Sequence, residues 1–295
     1  MHFYSSRNFT SYKVVKHVIG ETVIPLHPQR IVALDVYARE VAIIFGFKLV
    51  GAPKVDIELL GTQAKQYNFT DIGWTPSLEK VLALKPDLIL GSVRWFRDTY
   101  KQWSQIAPTV MISLEELGEW QRPFVQVANV LGKTDLAKQI VAKYQRRLTE
   151  FRTKMGDRLK TTKVSMVLLI PETVSLLTKG VFSGVILEDA GLSRPSSQDF
   201  DSKASLRMWG NPVRQAISNE LLTEADGDVL FVVANGFPNS ADSQKGIQQL
   251  MTQPLWSKLK VVQEGKVFVV GKHWLYGSYF SANLVIDDLF QYLVK

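Results

Sequence analysis

The residues best equipped for chemistry in this 295-residue chain are cations and large aromatics that follow short apolar runs. Tyr37 follows Ile31-Val32-Ala33-Leu34, Trp74 follows Asp71-Ile72-Gly73, and Arg94-Trp95-Phe96 follows Asp87-Leu88-Ile89-Leu90. Further along come Lys179, Arg207-Met208-Trp209, Trp274, Tyr276 and Tyr279. An arginine fork donates two parallel hydrogen bonds to paired oxygens. Tryptophan and tyrosine cover carbon while their polar edges still hydrogen-bond. Such a set can line a ligand cleft. The chain has no cysteine, which excludes disulfides, thiolate metal sites and Cys nucleophiles. Its histidines are His2, His17, His27 and His273, and none stands at metal-ligand spacing to another. No phosphate-cradling Gly loop, G-x-S-x-G elbow or H-E-x-x-H occurs. A Ser/His/Asp hydrolase is the rival reading from another class, and His273 is its one base outside the N-terminal segment.

The elements that must position these groups are legible as alternation. Ile31 to Leu34, Leu49 to Ala52, Asp71 to Gly73, Asp87 to Leu90 and Thr109 to Ile112 read as strands. Helical patterns over Ala38 to Phe45 and Ser77 to Leu84 separate them, the latter stopped by Pro86. After residue 160 the alternation restarts. Strands are expected at Lys163 to Ile170, Val174 to Leu177, Asp228 to Val233 and Lys266 to Val270. Helices are expected at Phe182 to Ala190, Ile247 to Leu259 and Ser281 to Val294. This pattern predicts parallel sheets covered by helices. Between the halves, Leu136, Ile140, Tyr144, Leu148, Phe151, Met155 and Leu159 recur three or four residues apart, one helical stripe of roughly 40 Å. Thr134 is its expected N-cap. The sequence thus divides into an N-terminal segment (1–27), an α/β lobe (28–133), a linking helix (134–160) and a second α/β lobe (161–295).

Ser77, Glu79 and Asp87 recur as Ser218, Glu220 and Asp228, all displaced by the same number of residues. Each set encodes a capped helix with an early Glu, then a strand begun by Asp. Two similar lobes joined by a strut predict a cleft. Ligands of open α/β sheets bind beyond the carboxyl ends of the strands, where the cations and aromatics above are placed.

Composition agrees with a globular chain: 46% hydrophobic, 21% charged, without an apolar run of membrane-spanning length. The net charge is +7, and residues 134–160 alone hold eight basic and three acidic groups. No nucleic-acid module accompanies that surplus, so it reads as a solvated helix face. Met1 to Lys16 has no apolar core, so no signal peptide is visible.

Several stretches resemble a known family, the helix-linked (class III) substrate-binding proteins of ABC importers for ferric siderophores and vitamin B12. They are Pro28-Gln29-Arg30-Ile31-Val32-Ala33-Leu34, Leu78-Glu79-Lys80-Val81-Leu82-Ala83-Leu84-Lys85-Pro86-Asp87-Leu88-Ile89, Ile186-Leu187-Glu188-Asp189-Ala190-Gly191-Leu192 and Ile217-Ser218-Asn219-Glu220. Val15-Lys16-His17, Gly20-Glu21-Thr22 and Ile24-Pro25 resemble its iron-siderophore branch. The resemblance implies two Rossmann-like lobes joined by a single long α-helix, with the ligand cleft between them and little hinge motion. It implies a monomer without a cofactor, whose ligand is a ferric siderophore of hydroxamate or citrate-hydroxamate type and supplies the iron ligands itself. A corrinoid or haem ligand is the alternative within the family. By resemblance Glu79 and Glu220 dock on the permease dimer, Arg94 meets the ligand, and Trp209-Gly210 matches the Trp-Gly of hydroxamate binders. Tyr37, Trp74, Trp95, Lys179, Arg207, Trp274, Tyr276 and Tyr279 complete the candidate ligand set. Many members are extracytoplasmic or periplasmic lipoproteins with an N-terminal Cys. This chain has none, so its export signal is expected outside the present sequence.

Overall fold

The computed structural model describes residues 11–56, 67–114, 118–170, 173–234 and 241–294. The described residues begin with two β-strands, β1 (Tyr12–His17) and β2 (Gly20–Pro25). There follow β3 (Ile31–Ala33), α1 (Val36–Ile44), β4 (Leu49–Ala52), β5 (Thr70–Asp71) and α2 (Leu78–Ala83). Next come β6 (Leu88–Ser92), α3 (Val93–Phe96), α4 (Tyr100–Ser104), β7 (Thr109–Ile112) and α5 (Gln121–Val130). The middle is α6 (Thr134–Met155) and α7 (Arg158–Thr161). The second half runs β8 (Val164–Ile170), β9 (Thr173–Leu177), α8 (Phe182–Asp189), α9 (Ser202–Trp209), β10 (Arg214–Ile217) and β11 (Val229–Ala234). It closes with α10 (Ala241–Met251), α11 (Lys260–Gln263), β12 (Val267–Val270) and α12 (Tyr279–Leu293).

The described residues of Met1–Glu115 and Gln121–Gln139 form one compact unit, and those of Glu116–Trp120 and Ile140–Lys295 form another. The first holds a five-stranded sheet ordered β5-β4-β3-β6-β7, parallel throughout. Its central strands are fully enclosed, which is why Ile31, Val32, Ala33, Leu88, Ile89 and Leu90 read as continuous apolar runs. Val32, Leu34, Ile72, Val81, Ile89, Trp103 and Met111 pack into one core cluster. The β1–β2 hairpin belongs to the same unit. His17 Nδ1 accepts from the Ile19 amide, so Nε2 carries the proton and donates to Thr22 Oγ1 at 2.9 Å. Thr22 in turn donates to the Thr109 carbonyl of β7 at 3.0 Å, which pins the hairpin to the sheet edge.

The second unit has the order β10-β9-β8-β11-β12. Here the all-parallel expectation needs correction. β8, β11 and β12 are parallel, whereas β9 and β10 run antiparallel. Strands β6 and β11 occupy the same place in their sheets, and the recurrent Asp explains why. Asp87 accepts the Arg30 amide at 2.9 Å and donates its own amide to the Arg30 carbonyl at 3.0 Å. Asp228 does the same with Lys163, at 2.8 and 2.9 Å. Each Asp ties its strand to the residue that opens the central strand beside it.

The stripe that predicts a helix over 134–160 is real but shorter. α6 stops at Met155 because Gly156 adopts a left-handed φ of 57°, and Leu159 falls on α7. Residues 134–139 of α6 belong to the first unit and 140–155 to the second. Trp120, expected in the first lobe, belongs to the second, where its ring meets Tyr144 edge-on at 4.9 Å.

Candidate functional site

In the first lobe the carboxyl ends of β3 and β6 are held together by one side chain. Asp35 Oδ1 accepts the Ala38 amide at 2.8 Å and caps α1, while Oδ2 accepts the Ser92 amide at 2.7 Å. Burial raises the Asp35 pKa, and these hydrogen bonds oppose that shift. The clamp fixes the point where β6 turns into α3, so the next residues, Arg94 and Trp95, project outward. Both are exposed, and the Arg94 guanidinium lies 5.2 Å from the Trp95 ring centroid. Trp74 is 66% exposed in the turn after β5. Asp71 shapes that turn by accepting from Gly73 N at 3.0 Å and Lys54 N at 3.1 Å, bonds that lower its pKa. Tyr37 departs from the expectation: it lies in the first turn of α1 and is buried.

Beyond β7 stands a cation the sequence reading passed over. Arg122, exposed at the start of α5, donates to Ser113 Oγ at 3.0 Å and to the Ser113 carbonyl at 3.2 Å. Gln126 Oε1 accepts both the amide and the hydroxyl of Ser113 at 2.8 Å. The signal was available: Arg122 falls one residue before Pro123, in a helix that follows the fifth strand, but its short apolar stripe went unread.

In the second lobe Lys179 follows β9, and its Nζ lies 2.5 Å from Asp199 Oδ1. Its amide donates to the Phe200 carbonyl at 3.0 Å. The Phe200 ring meets Trp209 edge-on at 4.9 Å. Arg207-Met208-Trp209 end the helix α9. Asp201 caps that helix by accepting the Ala204 amide at 2.7 Å, and Gly210 closes it at φ 66°. Arg207 is exposed and Trp209 half-buried. An open depression of about 400 Å³ is lined by Thr173, Ser175, Trp209, Asn211 and Arg214 among others. Arg214, on the edge strand β10, is a second cation that the sequence reading did not single out.

Trp274 requires correction. It is fully buried, its ring lies 4.3 Å from Phe231, and its Nε1 donates to Asp288 Oδ2 at 2.7 Å. It is a core aromatic of the second lobe with no surface to offer a ligand. His273 Nε2 lies 2.8 Å from the same Asp288 oxygen, so the candidate base of the hydrolase reading is held against α12. Tyr276 and Tyr279 are half-buried, and Tyr279 stands 6.2 Å from Trp120. Among the described residues, no group of three or more His, Asp or Glu could hold a metal ion.

Glu79 and Glu220 are both exposed, each near the start of a helical turn in its own lobe. The turns differ. Ser77 Oγ accepts the Lys80 amide and caps α2. The turn at Asn219–Ala225 is a 3-10 helix, and Ser218 makes no capping bond to it. A hydrogen bond from the Ser218 side chain instead lowers the Glu220 pKa.

Residues 46–273 match the model of a family described as periplasmic binding protein. The chain belongs to that family. Among its relatives, the "Probable siderophore-binding lipoprotein YfiY" of Bacillus subtilis is 30% identical over 292 residues, covering 96% of this chain and 88% of the relative. The "Fe(3+)-citrate-binding protein YfmC" of the same organism is 26% identical over 265 residues, covering 87% of this chain and 77% of the relative. The solved structure of Staphylococcus aureus SirA complexed with staphyloferrin B superimposes with a TM-score of 0.79 at 28% identity, covering 95% of this binding protein and 98% of SirA. Among the described residues of this family member, no helix is long and apolar enough to cross a membrane.

Proposed function

We propose that this periplasmic binding protein captures a ferric siderophore outside the cytoplasm and delivers it to the permease of an ABC importer. The observation that carries the reading is the pairing of exposed or half-exposed cations with exposed or half-exposed aromatics in both lobes. The first lobe offers Arg94 and Trp95, with Trp74 and Arg122. The second offers Lys179, Arg207 and Trp209, with Arg214, Tyr276 and Tyr279. The names of the relatives point the same way, to siderophores and ferric citrate.

The chemistry is recognition. A ferric hydroxamate or citrate-hydroxamate complex presents a shell of oxygens with the iron already coordinated inside. Arginine forks grip those oxygens bidentately, and Trp and Tyr cover the organic backbone. The protein therefore needs no metal ligands of its own. Release needs a partner. One carboxylate in each lobe, Glu79 and Glu220, suits a two-fold symmetric permease carrying basic groups.

Intrinsic tryptophan fluorescence titrated with a panel of ferric siderophores tests the reading. Saturable quenching at micromolar ligand or below supports it. A flat response across hydroxamate, citrate and catecholate complexes removes it.

A further inference from the structure

Lys179, a second-lobe ligand candidate, is in direct contact with a carboxylate, Asp199, at 2.5 Å. The ordinary reading of such a pair is a surface salt bridge of little consequence. Three observations argue for more. First, the Lys179 side chain is only 32% exposed and that of Asp199 49%, so neither charge is fully screened by solvent. Second, the Asp199-Phe200-Asp201 segment touches each candidate ligand element of this region. Asp199 pairs with Lys179, Phe200 packs on Trp209 and accepts the Lys179 amide, and Asp201 caps the helix that carries Arg207 and Trp209. Third, a second cation lies beneath. Arg194 is 5% exposed and donates to the Leu177 carbonyl at 2.6 Å and to Gln198 Oε1 at 2.5 Å, and its Nε and Nη1 have no partner among the described residues. Burial lowers its pKa to about 9, and the negative charge of Asp199 opposes that shift. One carboxylate thus serves a half-exposed lysine and a buried arginine, and the trio carries net charge +1.

We propose that Asp199 is a specificity-determining residue that fixes which charge class of ferric complex this site accepts. Resting on the siderophore reading above, the inference is that Asp199 cancels Lys179 and so disfavours strongly anionic complexes relative to uncharged ones. Without it the trio would carry +2, and the extra charge would attract an anionic ligand and leave a neutral one unaffected. At several ångströms in a largely aqueous setting, one unit charge against an anionic ligand changes affinity by about three- to tenfold.

The test compares a neutral ferric trihydroxamate with anionic ferric citrate, each titrated into wild type, Asp199→Asn and Lys179→Gln. Asparagine keeps the shape of the side chain and removes its charge. Asp199→Asn should shift the affinity ratio about three- to tenfold towards the citrate complex, and raised salt should shrink that shift. Lys179→Gln lowers the trio from +1 to zero and should move the ratio the other way. Asp199→Asn also leaves Arg194 without its countercharge and should melt lower. If it fails to fold, the shift in Lys179→Gln decides. An unchanged ratio in folded variants that still bind, or a shift of the same sign in both, overturns the inference and leaves siderophore capture standing. A wild type that binds neither these complexes nor any of the panel overturns both.

Discussion

Replacing Arg94 with Ala should weaken ferric-siderophore binding and leave the fold intact. Arg94 sits in the first turn of α3, exposed, just past the β6 end that Asp35 anchors. A hydrogen bond to a charged group contributes about 1.5–3 kcal/mol. At a factor of ten per 1.4 kcal/mol, Kd should rise about 10- to 150-fold. The folded state loses much less. Arg94 is exposed and its stack on Trp95 is a surface cation–π contact; surface substitutions of this kind cost little stability, so melting should fall by no more than a few degrees. Arg94→Lys keeps the charge but not the fork, and should lie between Ala and wild type. Calorimetric titration gives Kd and a thermal scan gives Tm on the same samples. An unchanged Kd would show that Arg94 is not a ligand residue. A fall in Tm as large as that of a core truncation would show that its role is structural.

Trp274→Ala should do the reverse: about 3–5 kcal/mol of stability lost on denaturant titration, with near-normal affinity in whatever stays folded, because the ring is fully buried against Phe231. A folded Trp274→Ala protein that has lost ligand affinity would contradict that assignment. Burial lowers the pKa of His17 from its usual 6.5, so between the folded and unfolded values the unfolded chain binds more protons. The contribution of His17 is therefore present above about pH 6.5 and is lost as pH falls below it, when protonation of Nδ1 ends its role as acceptor for the Ile19 amide. An NMR titration giving a pKa above 6.5 would reverse that sign. Glu79→Lys with Glu220→Lys should keep ligand affinity and Tm, since both carboxylates are exposed, while like charges facing the permease abolish uptake in cells. Undiminished uptake would remove the docking role.

The first lobe was legible because its strands are buried on both faces and read as unbroken apolar runs. The Asp87/Asp228 repeat was legible because each Asp makes the same pair of bonds to the start of a central strand. What escaped had weaker periodicity or only local signals. Arg214–Ile217 is a half-buried edge strand with no apolar run, so the antiparallel β9–β10 pair left no trace in the alternation. The helix carrying Trp209 is eight residues long and was marked by its ends, Asp201 and Gly210, more than by its face. The end of α6 turned on the backbone of Gly156, which a side-chain stripe does not register. Tyr37 and Trp274 were placed correctly in the chain but misjudged in depth. Position beyond a strand says where a residue is, whereas its burial depends on packing partners such as Phe231 that are remote in sequence. Arg122, Asp199 and Arg214 were missed for the converse reason, since only the fold brings them beside Ser113, Lys179 and Trp209.

The most direct test of siderophore capture is a calorimetric titration of wild-type protein with one quenching siderophore, loaded with ferric iron and then metal-free. The account predicts one saturable site for the ferric complex and binding at least tenfold weaker for the metal-free form, whose oxygens are not held in one shell. Equal affinity for the two forms, or heat only from the metal-free one, would contradict it.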